Sequence, residues 1–172
     1  MKQIVYIIFF LSCVMSCSKG YDRLKLIAGD SCQYWYHVNT DPMDNTKYFW
    51  YFDREGKFVI LEQRYADKKC YLYEIDDVEY IPTWHLVNDS VVNVCGLNHD
   101  LTIVNDTFII ITAHNKFHWV DTLYKVTDPH LLKNLQEVII REQKLLDAWT
   151  NPNVDIDTCE IARSSGYAIQ TY

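Results

Sequence analysis

The chain has 172 residues, 49% of them hydrophobic, and a formal net charge of −7. That length carries one domain with a real core, and an acidic balance without a basic stripe excludes the electrostatic footprint of a nucleic-acid binder. Thirteen Tyr, seven Phe and five Trp against only five Gly and four Pro exclude a disordered or low-complexity chain, and no fixed-period repeat is present.

In chain order, Lys2 precedes an apolar run from Ile4 to Leu11, and a stretch of small residues closes on Val14-Met15-Ser16-Cys17. A charged start, a short apolar core and a small residue before a cut predict a secretory signal over residues 1–16. Even extended to Met15, the run falls short of the ~20 residues that cross a bilayer as a helix. With a cysteine directly after the small residue, the segment resembles a bacterial lipoprotein signal with its lipobox. That resemblance implies acylation of Cys17 (palmitate being the test label), which becomes the first residue of a membrane-tethered chain. Phe10-Leu11-Ser12-Cys13 offers a second cut. Ser18 stands where aspartate is the familiar inner-membrane retention signal, which implies export to the outer membrane, with the domain facing the periplasm or the surface. A plain secreted protein stays open, because Asn88-Asp89-Ser90 and Asn105-Asp106-Thr107 fit the glycosylation pattern; both also fall where tight turns are expected.

Residues 17–30 lack a clear period and read as a lipidated tether. A succession of β-signals follows over residues 31–128. Gln33 to Val38 is short and aromatic. Lys47 to Phe52 meets the turn Asp53-Arg54-Glu55-Gly56, and Lys57 to Glu62 returns. Tyr71 to Ile75, Thr83 to Val87, Val91 to Val94, Leu101 to Val104, Thr107 to Thr112 and Trp119 to Val126 complete the series. Short strands at this spacing, separated by Asn-Asp and Gly-Leu-Asn turns, predict an antiparallel barrel or sandwich. Asp128-Pro129 then opens a helix over 129–150, aspartate as cap and proline in the first turn. Leu131, Leu135, Val138, Leu145 and Trp149 form its stripe, with Leu132, Ile139 and Leu146 beside it. Asn151-Pro152 stops it, and residues 151–172 read as an irregular tail.

Cys32, Cys70, Cys95 and Cys159 lie beyond the signal. Outside the cytoplasm an even number suggests disulfides, with three pairings possible; buried thiols are the alternative. A single bridge would tie a terminal segment such as Cys159 to the body.

Three segments carry a family resemblance. Thr83 to Val94 reads as a hairpin with Asn88-Asp89 at its tip, and Leu101 to Ile110 repeats that design around Asn105-Asp106. Together with Phe52-Asp53-Arg54-Glu55-Gly56-Lys57-Phe58, they make residues 35–126 similar to the lipocalin-like lipoproteins of Bacteroidetes. The resemblance implies a mainly β fold: an antiparallel eight-stranded barrel with one amphipathic helix packed beside it. Such a barrel has room for side chains or for one small ligand. The implied function is that of a lipid-anchored envelope protein holding a small apolar or amphiphilic ligand, the membrane its first partner. A filled barrel would instead serve as a protein-interaction module: an inhibitor, an immunity-type factor or an assembly subunit.

The candidate ligand-binding residues are Tyr34, Tyr36, Tyr48, Trp50, Phe52 and Trp84, rings with apolar bodies and, in all but Phe52, polar tips. On the second strand Tyr48, Trp50 and Phe52 share one face and Phe49 and Tyr51 the other, so one aromatic face suits the barrel interior and the other suits the helix. Nothing in the sequence marks an enzyme. The nucleophile elbow, the phosphate loop and the His-Glu-x-x-His motif are all missing, and no cofactor is implied. His114 and His118, with a carboxylate such as Asp121, are the nearest approach to metal ligands. The acidic stretch Asp76-Asp77 and Glu79 lacks calcium-loop spacing, and His85 has no nucleophile near it in sequence.

Overall fold

The structure, a computed structural model, describes residues 22–41, 43–73, 82–114, 119–143 and 146–147. Its elements in chain order are α1 (Arg23–Ala28), β1 (Cys32–His37), β2 (Lys47–Asp53), β3 (Phe58–Gln63), β4 (Cys70–Leu72), β5 (Trp84–Asn88), β6 (Val91–Val94), β7 (Leu97–Asn105), β8 (Phe108–Ala113), β9 (Val120–Lys125) and α2 (Pro129–Arg141). The strands form one antiparallel sheet in the order β4-β3-β2-β1-β9-β8-β7-β6-β5. The fold is mainly β, as expected, with a helix after the last strand.

The expected closed eight-stranded barrel is not what forms. Nine strands pair, and the sheet stays open between β4 and β5. First and last strands do meet, through Trp35↔Lys125, Tyr36↔Tyr124 and His37↔Leu123, so the order is that of an up-and-down meander cut at one seam. The cause lies on the outer edge of β3, which two segments share. β4, only three residues long, pairs with its second half from Leu61↔Leu72 to Gln63↔Cys70. The approach to β5 takes the first half: Phe58 N–H donates to the Pro82 carbonyl at 2.9 Å, and Trp84 N–H donates to the Gly56 carbonyl at 2.8 Å. A single bridge, Lys57↔Thr83, marks that corner. Among the described residues, therefore, no continuous ladder runs from β4 to β5.

Alternation along β1 and β2 sorts the aromatic side chains onto two faces. Trp35, Phe52, Phe58 and Trp84 fill the inner face with Val92, Leu101, Ile109, Ile111 and Leu123. Their rings interlock, Phe52 lying 5.1 Å from Phe58 and 5.2 Å from Trp84 between centroids, within the range of favourable tilted and edge-to-face contact. Tyr34, Phe49, Tyr51, Val59 and Leu61 occupy the outer face beneath Leu135, Val138 and Ile139 of α2. A strand buried on both sides explains why both faces of β2 are aromatic.

α2 begins as its sequence dictates. The Asp128 carboxylate accepts from the N–H groups of His130 and Leu131, and Pro129 follows in the first turn. Leu146, one turn beyond, is buried and donates its N–H to the Glu142 carbonyl; Leu145, Trp149 and the tail from 151 lie outside the described residues. The tether expectation for 17–30 gives way at α1. Asp22 caps this six-residue helix, and Ile27 and Ala28 are buried in the inner core. It is too short for a helical period to stand out, and an isolated helix of this length is unstable in water. Tertiary contact holds it: Trp35 Nε1–H donates to the Ile27 carbonyl at 2.8 Å. Gly29 then turns the chain at φ 65°, where an added Cβ would lie 2.8 Å from the Cys32 carbonyl oxygen.

The two glycosylation-like tripeptides serve the turns. Asn88 Oδ1 accepts from the Ser90 N–H at 2.8 Å and Asn105 Oδ1 from the Thr107 N–H at 2.9 Å, the side chain standing in for a backbone acceptor.

Candidate functional site

The six candidate residues do not gather in one pocket. Tyr34 and Tyr36 belong to the outer face under α2, and burial there pushes the Tyr34 hydroxyl well above the usual phenol range. Phe52 and Trp84 are inner core and nearly inaccessible, at 0% and 2% exposed. The Trp84 indole N–H is already committed, donating to the Asp53 carbonyl at 2.8 Å. Tyr48 donates its hydroxyl to Asp44 at 2.9 Å and meets Tyr73 edge-on; partial burial, with Asp44 adding to it, pushes its pKa up to about 12. Trp50 is likewise half-buried and on the face of Tyr48, and it lies beside a second polar group.

That group is His37, whose ring stacks on Trp50 at 5.6 Å with 13° between planes. His37 Nε2 lies 2.8 Å from Asp121 Oδ1, and both side chains are 22% exposed. The register places more chemistry beside them. Asp121 opposes Ile111 on β8, and Ala113, two residues on, opposes His99 on β7. His37, Asp121 and His99 therefore share the inner face at the end of the sheet formed by the C-termini of β1 and β8 and the N-termini of β7 and β9. His99 contacts the Val94 backbone through its ring, while its Nδ1 is buried without a hydrogen-bond partner. Burial lowers its pKa, against the opposing pull of Asp121, so the ring favours the neutral form.

Apolar side chains ring this mouth. Leu97 is 62% exposed and Trp119 65% exposed, with Val120 beside Trp119. Trp119 is held at the rim because its carbonyl accepts from the Ala113 N–H at 2.8 Å. A cleft of about 300 Å³ opens there, lined by Leu97, Asn98, His99, Ala113 and His114. His114 is engaged with Asp100 at 2.6 Å and Asp121 with His37, so neither joins the other as a metal pair; His118 lies outside the described residues, as do Asp76, Asp77 and Glu79. Among the described residues no group of three His, Cys, Asp or Glu is placed to hold a metal ion.

Sequence reasoning named Trp50 but missed His37 and His99 as parts of one site. The inward alternation of β1 was the available signal for His37, since it follows Trp35 by two. His99 and Asp121 required the strand order, which brings β7 and β9 to the same mouth as β1.

Cys32 and Cys70 carry free thiols on the helix-side face, and Cys159 lies outside the described residues. None of the described helices is long and apolar enough to cross a membrane. The class defined by these observations is an open, strongly curled antiparallel meander with a filled base and one polar mouth. Compared with protein-family models, with curated proteins and with solved structures, the chain matches none of them.

Proposed function

We propose that this is a lipid-anchored, lipocalin-like binding protein of the cell envelope, tethered through Cys17 at the outer membrane, that takes a small amphiphilic ligand at the mouth rather than deep inside the sheet. One observation carries this choice of place: large rings fill the base of the curl, while the mouth combines a polar floor with an exposed apolar rim. Leu97 and Trp119 suit the apolar part of a ligand, and the His37–Asp121 pair suits a polar head. The half-buried Trp50 indole beneath the pair, stacked on the His37 ring, holds that ring in place. Binding, not catalysis, is the role assigned.

Native mass spectrometry of the acylated protein, gently extracted from its own membrane, tests this. A reproducible extra mass of a few hundred daltons, beyond the anchor and absent from a His37→Gln variant, is the expected result; cavities of ~300–1,000 Å³ take molecules of that size. A mass unchanged by that substitution would move the ligand away from the mouth. The packed interior favours a second reading, a protein-interaction module built on the filled, open sheet, and a clean apo mass with a co-purifying polypeptide would select it. Tethering has its own check, since a Cys17→Ala chain that still incorporated radiolabelled palmitate would refute acylation at that position.

A further inference from the structure

The mouth at His37 is one end of the curled sheet; the other end is shaped differently. α1 plugs it, with Leu24, Ile27 and Ala28 against the inner core, and Arg54 pins the plug by donating to the Gly29 carbonyl and to Asp22. The β7–β8 turn stands beside α1. Between them runs a groove of about 580 Å³ lined by Arg23, Leu26, Ile103, Val104, Asn105 and Asp106. The apolar surface continues from the groove onto the outer face of β8 and β9. Phe108 and Tyr124 stack there at 4.8 Å and 9°, and Val104 and Tyr124 are 50% and 47% exposed. Arg23, Lys25 and Lys125 stand around the same end together with Asp22, Asp30 and Asp106, and Lys25 pairs with Asp30 at 2.6 Å, so its charges balance and the apolar patch is its distinguishing feature.

Chain length decides what lies against this end. Five residue steps separate Cys17 from the Asp22 cap of α1, and a fully extended chain advances at most ~3.3–3.6 Å per residue. An acylated Cys17 therefore holds α1 within about 18 Å of the bilayer. The opposite mouth lies farther by most of the length of β7, roughly 30 Å for nine residues.

Resting on the acylation of Cys17 proposed above, we infer that the α1-plugged end of the sheet docks on the lipid surface, through the Val104–Phe108–Tyr124 patch, and that the His37 mouth points away from the membrane. Tyrosine at a bilayer surface places its ring among the headgroup boundary and its hydroxyl in water. The docking fixes one orientation: ligand or partner is met on the aqueous side, and release into the bilayer requires the protein to tilt or travel.

The test uses the full-length acylated protein in vesicles of phosphatidylethanolamine and phosphatidylglycerol, with a fluorophore coupled to a genetically introduced azide at one position per sample. Asp106 and Glu55 are exposed positions in turns at the plugged end, and Asn98 is exposed near the start of β7 at the open end. Spin-labelled lipid should abolish most emission from the probes at 106 and 55 and leave the probe at 98 bright. Equal quenching at 98 and 106, or stronger quenching at 98, overturns the orientation while leaving the anchor intact. A protein that fails to float with the vesicles overturns the anchor and the orientation together. A Tyr124→Asp variant separates docking from tethering. Loss of quenching at 106 while the protein still floats supports contact through the patch, whereas unchanged quenching overturns the patch as the contact.

Discussion

Replacing Trp84 by phenylalanine probes the corner where the open sheet meets itself. The indole N–H donates 2.8 Å to the Asp53 carbonyl in a buried setting, so the substitution removes a donor and leaves the acceptor behind. A buried carbonyl stripped of its partner costs about 1–3 kcal/mol. A longer 3.4 Å bond from the Gly56 N–H to the same oxygen remains, which places the loss at about 1–2 kcal/mol. The smaller ring also opens a void against Phe52 in a core with no slack, costing about 1 kcal/mol more. The sum is about 2–3 kcal/mol, a fall of roughly 4–12 °C in Tm for a domain of this size. Trp50→Phe is the control, because that ring is half-buried and its side chain makes no hydrogen bond among the described residues; it should cost under about 1.5 kcal/mol. Urea unfolding of the signal-less domain, followed by far-UV circular dichroism, measures both. Equal losses in the two variants would refute the idea that Trp84 latches β5 to the β2–β3 turn.

Two further outcomes follow from the burial of titratable groups. His99 has its folded pKa lowered by burial, so the unfolded chain takes up a proton first as pH falls, near the ordinary histidine value of ~6.5. Stability should therefore be full above that value and decline on acidification from pH 7 to 5, and His99→Gln should flatten the decline; parallel profiles for the two proteins would exclude His99 as its source. Burial likewise raises the Cys70 thiol pKa, with Asp67 adding to it, and thiols react as thiolates. Iodoacetamide at pH 8 should alkylate Cys70 slowly in the folded protein and rapidly in urea, as read by peptide mass spectrometry. Rapid labelling without urea would mean that α2 does not cover that face.

The β-rich class was legible in the sequence because each determinant of it is local. Inward and outward residues alternate within one strand, Asn88 and Asn105 build their turns from their own side chains, and Asp128-Pro129 starts α2 without help from the rest of the fold. The two aromatic faces of β2 were also visible there, as was the need to cover both. The remainder depends on residues distant in sequence. α1 was invisible because six residues carry no detectable period, although Asp22 followed by Leu24, Ile27 and Ala28 is the trace it leaves. Barrel closure failed because β4 is short and β3 must share its edge with the approach to β5, a competition between segments that strand propensity does not register. The site shows the same division. Trp50 advertises itself as a large ring, whereas His37, His99 and Asp121 are scattered over 85 positions and meet only because β1 pairs with β9 and β7 follows next but one. Sequence alone determined which segments become strands and which way their side chains point, since both are set within a few residues. Tertiary structure alone decided which of those side chains share a mouth and that the sheet stays open, since both are set by which strands lie side by side.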